Sequence, residues 1–245
     1  MQRLELHALP GLPMVQAGDD LASLIEAGLG RANLVLQPDD VLVLAQKIVS
    51  KAEGRSVALA SVTPSAEARA LAERVQKDPR FVELVLSESQ RVVRARPGLL
   101  IVQHRLGFVM ANAGIDQSNL GQEGHALLLP RDPDCTAAGL SARLGCPVII
   151  TDSFGRAWRR GTVGVAIGAA GLPALWDLRG RPDLFGRSLQ VSISGFADEI
   201  AAAASLLQGQ GAEAQPAVLV RGLAWDAPPN PAAELLRPEA EDLFR

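Results

Sequence analysis

The chain has 245 residues, 48% of them hydrophobic, and a formal net charge of −3. It is long enough to bury a substantial core, and its near-neutral charge offers no general attraction to nucleic acid. Two cysteines make neither a disulfide framework nor a four-ligand zinc site, and the absence of tyrosine and an aromatic content of 4% argue against an aromatic platform for stacking bases. The cysteines read as buried free thiols of a reducing cytoplasm. The N-terminus lacks the layout of a signal peptide, and no apolar run approaches the ~18 residues of a membrane span.

In chain order, residues 3–8 alternate and predict a strand with one wet face. Residues 9–13 form a turn, where Gly11 and Pro13 set the backbone path. Asp19 and Asp20 cap a predicted helix over 21–27, ended by Gly28. Residues 41–49 predict a buried strand, on which Lys47 and Lys51, four positions apart, share a face. With Gln46 and Ser50 they could grip phosphate oxygens, although the Walker spacing is absent. Two solvated lysines leaving a sheet would read the same way. Helices are predicted over 66–76, with Ala66, Ala70, Leu71 and Val75 as its apolar stripe, and over 79–89, with Phe81, Val82, Leu84 and Val85 inward. Arg91, Arg94 and Arg96 then interleave with apolar residues in a strand, and residues 99–103 and 106–110 form a hairpin.

Residues 111–119, ANAGIDQSN, gather Asn112, Asp116, Ser118 and Asn119 around Gly114. These small oxygen-bearing side chains suit a hard divalent cation, and they equally suit an Asx-rich turn. A helix over 135–144 leads to VIITDSFGRAWRRG at 148–161. This segment predicts a buried strand up to Asp152 and a break at Gly155, followed by Arg156, Arg159 and Arg160. Asp152 and Ser153 at one strand end, with Asp116 at another, could form a two-cation site beside a phosphate. The glycines of VGVAIGAAG (163–171) allow tight packing or close approach to a ligand, and the segment is not a dinucleotide fingerprint. A basic loop at 179–187, a strand at 189–194, a helix at 198–207 stopped by Gly209, and a strand at 217–220 complete the pattern. Gln210 could offer an amide oxygen to a cation. Residues 227–245 form a proline-rich tail with a short amphipathic piece ending at Phe244. The three histidines make no metal-ligand pattern.

Taken together, GLPMV with GDDL, IVSKAEGR, NAGIDQSN, ITDSFGR with WRRGTVGVAIG, GRPDLFGR, ADEIAAAASLL and AVLVRGL resemble the coenzyme F420-0:L-glutamate ligase family, also called F420:γ-glutamyl ligase. They occur in family order over nearly the whole chain. The resemblance implies an α+β fold with mixed coiled sheets and flanking helices, two intertwined lobes in a single ligase domain over 1–245, and an interlocked homodimer. It also implies a GTP-dependent, amide-forming ligase. A carboxylate of coenzyme F420-0 would be activated as an acyl phosphate and attacked by the amine of L-glutamate, with further γ-linked glutamates added in turn.

By motif, Leu12, Pro13, Met14 and Val15 would line the nucleotide, Gln46, Lys47 and Lys51 would meet its base or phosphates, and Asn119 would touch GTP. Asp116 and Asp152 would hold one cation, and Ser153 and Gln210 the second, as Mg2+ or Mn2+ with K+ as a further ion. From the chemistry, Arg156, Arg159 or Arg160 would offset the repulsion between carboxylate and phosphate. Archaeal members carry an acidic residue where this chain has Gln210, which puts the second cation in question. The hydroxylated pair before the lysine motif is replaced by Gln46-Lys47. The fused reductase-like domain of mycobacterial relatives is absent from this sequence, so a stand-alone cytoplasmic enzyme is expected, with no nucleic-acid or membrane partner. A ligase-like paralogue with another carboxylate acceptor, or a non-catalytic nucleotide- or cofactor-binding protein, is the alternative.

Overall fold

The structure, a computed structural model, describes residues 3–121 and 123–242. The end of the amphipathic piece expected at Phe244 lies outside them. The strands are β1 (Glu5–Ala8), β2 (Val41–Ala45), β3 (Ser56–Ala58), β4 (Ser89–Arg96), β5 (Leu99–His104), β6 (Val109–Ala111), β7 (His125–Leu127), β8 (Val148–Arg156), β9 (Arg159–Ala170), β10 (Trp176–Asp177), β11 (Ile193–Ser194) and β12 (Ala217–Arg221). The helices are α1 (Leu21–Arg31), α2 (Gln46–Ala52), α3 (Ala66–Val75), α4 (Pro79–Ser87), α5 (Pro133–Leu144) and α6 (Phe196–Gln208). This is a mixed α+β architecture, as expected.

A five-stranded sheet in the order β1-β12-β2-β8-β9 is its centre. All its neighbours run antiparallel except β2 and β8, which are parallel from Leu42 opposite Val148 to Ala45 opposite Thr151. Strand alternation explains why VLVLA is apolar throughout. Leu42 and Leu44 pack into one cluster with Val148, Ile150 and Leu219, while Val41 and Val43 face a second with Ile149, Val218 and Val220. Helices α1 and α5 supply the first cluster and α6 the second. Burying each such aliphatic side chain contributes roughly 1.5–3 kcal/mol. A third cluster lies between α3, α4, β5 and the segment around Ala113 and Ile115.

Several local expectations are corrected. The strand predicted over 41–49 ends at Ala45, and α2 begins at Gln46. Helix α1 runs through Gly28 to Arg31. Gly28 is a packing position, because a Cβ there would stand 3.3 Å from both Leu9 Cβ and Leu12 Cδ1. The buried stripe of α3 is Ala68, Ala72 and Val75, with Ala66 and Ala70 exposed. Gly155 does not break β8, which continues to Arg156. The strand expected over 189–194 shrinks to Ile193–Ser194. By contrast, the inward set of α4 and the capping of α1 by Asp20 are as expected. Gly209 closes α6. Both cysteines are free, but only Cys146 is buried, and burial pushes its thiol up to about 11.

The glycines of β9 serve packing. A Cβ on Gly168 would lie 2.4 Å from Pro133 O at the start of α5, and one on Gly164 would lie 2.6 Å from Ala201 O in α6. Asp134 fastens the same corner by accepting N–H bonds from Ala169, Ala232 and Ala233.

Near the third cluster, Glu88 is buried and receives Arg55 Nη2 at 2.7 Å and Arg105 Nη2 at 3.0 Å, while His104 Nε2 lies at 3.5 Å. Burial works to raise its carboxyl, but His104 and the two guanidinium groups outweigh burial and hold it below the usual range. Its stabilising contribution is therefore present above the ordinary glutamate range and is lost as pH falls through the lowered folded value. Glu88→Gln should cost about 3–5 kcal/mol in urea denaturation at neutral pH, because two guanidinium groups lose their charge partner. The deficit relative to wild type should narrow on acidification.

Candidate active site

Parallel pairing of β2 and β8 brings the C-terminal ends of both strands to one edge of the sheet. Ligands of open α/β sheets gather at such edges. From β2 the chain turns into α2, where Lys47 and Lys51 stand one helical turn apart on a common face. They share a face as expected, through helical rather than strand geometry. From β8 the chain presents Asp152 and Ser153.

Two further segments close on this edge. Asp116 is held by a backbone bridge to Leu127, with N–H···O bonds in both directions. Its Oδ2 lies 2.7 Å from Lys47 Nζ, and its Oδ1 accepts the Ser118 N–H at 2.7 Å. Lys47 Nζ also donates to Ser118 Oγ at 3.0 Å, and Lys51 Nζ donates to the Asn119 carbonyl at 3.0 Å. Beyond α6, Gln210 Nε2 donates to Ser153 Oγ at 2.9 Å, and Asn119 Nδ2 donates to the Gly211 carbonyl at 3.2 Å. Three sets of contacts, Lys47 with Asp116 and Ser118, Lys51 with Asn119, and Ser153 with Gln210, are thus joined through the chain at Ser118–Asn119 and, by way of the Gly211 carbonyl, at Gln210, and Asp152 is coupled to Asp116 and Lys47 electrostatically.

Charge is unevenly distributed within the cluster. Burial pushes the Asp152 carboxyl up to about 7; the Ser153 N–H and the Lys47 charge oppose the rise, and the Asp116 charge adds to it. Burial would also raise Asp116, but the Lys47 ammonium and the Ser118 donors hold it below the usual range. Lys51 is lowered by burial and by the neighbouring Lys47 charge, against the pull of Asp116. Two coupled carboxyls, one of them strongly raised, mark a position where added positive charge is favourable. This donor set fits a divalent cation that completes its shell with water and phosphate oxygens. Ser153 and Gln210 offer only neutral groups, and no set of three or more His, Cys, Asp or Glu side chains converges among the described residues.

The other expected residues fall in different places. The loop of Leu12, Pro13, Met14 and Val15 precedes α1; Val15 is buried, Leu12 packs on the core, and Pro13 and Met14 are exposed. Gly18 N donates to Ala52 O and ties the end of this loop to the end of α2, beyond Lys51. Gln46 is buried, and its side-chain oxygen accepts from Ser50 Oγ at 2.9 Å. Arg156 stands at the tip of the β8–β9 hairpin opposite Arg159, and its guanidinium donates to the Arg160 carbonyl. Four residues of extended strand put it ~13 Å from Asp152, so within one chain the arginines do not join the cluster. Asn112 also separates from the oxygen set and lines a cavity with Lys77 and Phe81. Lys77 carries no motif that would mark it in the sequence. The Gly211 carbonyl, which receives Asn119, is a main-chain group that no side-chain pattern announces.

The fold and this edge define a class: an α+β protein with a compact lysine–carboxylate cluster suited to phosphate and a cation. Residues 11–222 match the family described as F420-0:Gamma-glutamyl ligase. The chain is 45% identical to the Coenzyme F420:L-glutamate ligase of Methanothermobacter thermautotrophicus over 253 aligned positions, which span 99% of each chain. Its identity to the proteins of the same name from Methanopyrus kandleri and Archaeoglobus fulgidus is 43% and 44%, over 99% of this chain and 98% and 97% of theirs. The chain belongs to the F420-0:gamma-glutamyl ligase family.

The electrostatic coupling has a direct consequence. Asp116→Asn removes the negative charge that raises Asp152, so Asp152 should titrate below about 7. Lys47→Met removes an opposing positive charge and should move it higher. Carboxyl-carbon NMR titration of the two variants, without added cations, reads both directions.

Proposed function

We propose that this chain is a GTP-dependent ligase that adds L-glutamate to the carboxylate of coenzyme F420-0, with successive γ-linked additions. One observation carries the reading. At the β2–β8 edge Lys47 pairs with Asp116, whose charge is coupled to that of Asp152, and Lys51 stands one turn away, in a chain alike over nearly its whole length to proteins named for this ligation.

In this reading Lys47 and Lys51 take phosphate oxygens of GTP, with Asn119 beside them and Leu12, Pro13, Met14 and Val15 along the nucleotide. Gln46 serves indirectly by packing α2 through Ser50. Asp116 and Asp152 hold a Mg2+ or Mn2+, which supplies charge neutralisation where the acceptor carboxylate meets the phosphoryl group. The neutral Ser153–Gln210 pair suits a weakly held ion such as K+ better than a second divalent cation, which prefers a carboxylate. The acceptor carboxylate takes the γ-phosphoryl group, and GDP leaves. The glutamate amine then attacks the acyl carbon, phosphate departs and an amide remains. Lysines pre-positioned by α2 lower the cost of bringing two anions together.

Pure protein given F420-0, L-glutamate, GTP and Mn2+ should yield a product heavier by glutamyl units in mass spectrometry. An unchanged acceptor would overturn the proposal, and GTP binding without turnover would favour a binding protein. Asp152→Asn should reduce turnover by at least ~10²-fold with unchanged circular dichroism; an unaffected rate removes Asp152 from the reaction.

The homodimer belongs to the same proposal. Leu184, Phe185 and Val191 are each more than four-fifths exposed in the segment that follows the long β8–β9 hairpin, and such apolar groups favour burial against a second copy. Sedimentation should give twice the monomer mass, and Phe185→Asp together with Leu184→Asp should shift it towards monomer.

A further inference from the structure

The outer half of the β8–β9 hairpin carries the basic motif that the lysine–carboxylate cluster does not use. Residues 155–162 are all exposed, and they include Arg156, Arg159 and Arg160. None of these three guanidinium groups has a carboxylate partner among the described residues; that of Arg156 donates to the Arg160 carbonyl at 3.1 Å. Other surface arginines are balanced. Arg80 with Asp78, Arg143 with Asp20, Arg179 with Asp177 and Arg181 with Asp226 each lie 2.6 Å apart.

Strand alternation ties this basic tip to the reacting edge. Ile150 and Phe154 both pack on the first core cluster, so Asp152 between them and Arg156 beyond them belong to the same face of β8. Ser153 belongs to the other face, where Gln210 meets it. The face therefore carries a row of Asp152, the half-buried Phe154 ring and Arg156, with steps of roughly 7 Å. Phe154 is fixed by an edge-to-face contact with Phe108, their centroids 5.9 Å apart. Arg159 stands opposite Arg156 in the register and brings a second guanidinium to the same end.

This row has a chemical direction. Asp152 marks the end where an acceptor carboxylate reacts, an apolar ring lies next, and two unbalanced positive charges stand about 13 Å along the strand. A short carboxylate reaches only the first position. A long anionic acceptor with a planar ring remote from its carboxylate reaches all three, because guanidinium both neutralises anions and stacks on ring faces.

We propose that the β8–β9 hairpin is an acceptor-binding arm, in which Phe154, Arg156 and Arg159 hold the planar, anionic body of the molecule whose carboxylate reacts beside Asp152. Naming that molecule as F420-0, a deazaflavin whose ring is remote from its carboxylate, rests on the proposed ligase activity.

Calorimetric titration of the full chain, with and without GDP and Mn2+, compares F420-0 with acetate, which offers the carboxylate alone. F420-0 should bind where acetate at the same concentration does not. Arg156→Gln should weaken F420-0 binding about tenfold, and Arg156→Gln together with Arg159→Gln should weaken it further, with unchanged circular dichroism. Arg94→Gln, which removes an exposed arginine from β4, should leave binding at the wild-type level. No binding of F420-0 under either condition, wild-type affinity in the double variant, or an equal loss in Arg94→Gln overturns the arm. In the ligation assay the double variant should raise KM for F420-0; a rise in KM for GTP instead assigns the arginines to the nucleotide and overturns the proposal. Turnover recovered by mixing Asp152→Asn chains with double-variant chains, at F420-0 below the wild-type KM, places the arginines over a partner's cluster and overturns the single-chain row. Arginine-dependent F420-0 binding without a glutamyl product sinks the ligase proposal and leaves the arm standing. Product formation with an unchanged KM for F420-0 in the double variant does the reverse.

Discussion

The parallel pairing of β2 with β8 is the constraint on which the site depends. It is the one parallel contact of the five-stranded sheet, and it turns two strand ends that are about a hundred residues apart in sequence towards the same edge. One end turns directly into α2 and sets Lys47 and Lys51 a turn apart. The other carries Asp152. An antiparallel pairing would send the lysines and Asp152 to opposite edges of the sheet.

Around that junction, packing holds what chemistry requires. Residues 41–44 of β2, 217–220 of β12 and 148–150 of β8 are buried on both faces and apolar throughout, and on β8 polar residues appear only from Thr151 on. Gly164 and Gly168 let α6 and α5 approach β9 closely, and Asp134 fastens the same corner with three N–H bonds. Helix α6 ends at Gly209, which releases Gln210 and Gly211 towards Ser153 and Asn119. The loops of the site are thus short extensions of rigid elements, which suits a reaction in which two anions must be brought together and held.

The electrostatics follow from the same geometry. Lys47 answers Asp116 directly, and Asp152 remains a raised carboxyl beside an ionised one. Neighbouring carboxyls with such different environments are a common arrangement where a cation and phosphate are handled. The contrast with Glu88 is instructive. That carboxylate is also buried, but two arginines and a histidine surround it, and its role is structural.

Much of this was legible in the residues themselves. The apolar runs marked β2, β8 and β12, the 3.6-residue period marked α4, and Asp20 and Gly209 marked helix ends, because these signals are local and depend on backbone and burial alone. The ordered motifs marked the family, and Asp116, Asp152, Lys47 and Lys51 were readable as candidates from residue type. Other features depended on partners distant in sequence. Gly28 reads as a stop until Leu9 and Leu12 are packed against it, and Gly155 reads as a break until β9 pairs across it. Arg156 reads as a neighbour of Asp152 until the strand continues and carries it to the hairpin tip. Asn112 reads as one more oxygen donor beside Asp116 until the α3–α4 turn and α4 bring Lys77 and Phe81 to it. Most of the elements and the chemical types at the site were readable along the chain, because periodicity and residue type are local properties, and the family was readable from the ordered motifs. Only the tertiary structure decided which of those groups meet, because that depends on strand direction and on contacts between residues far apart in the chain.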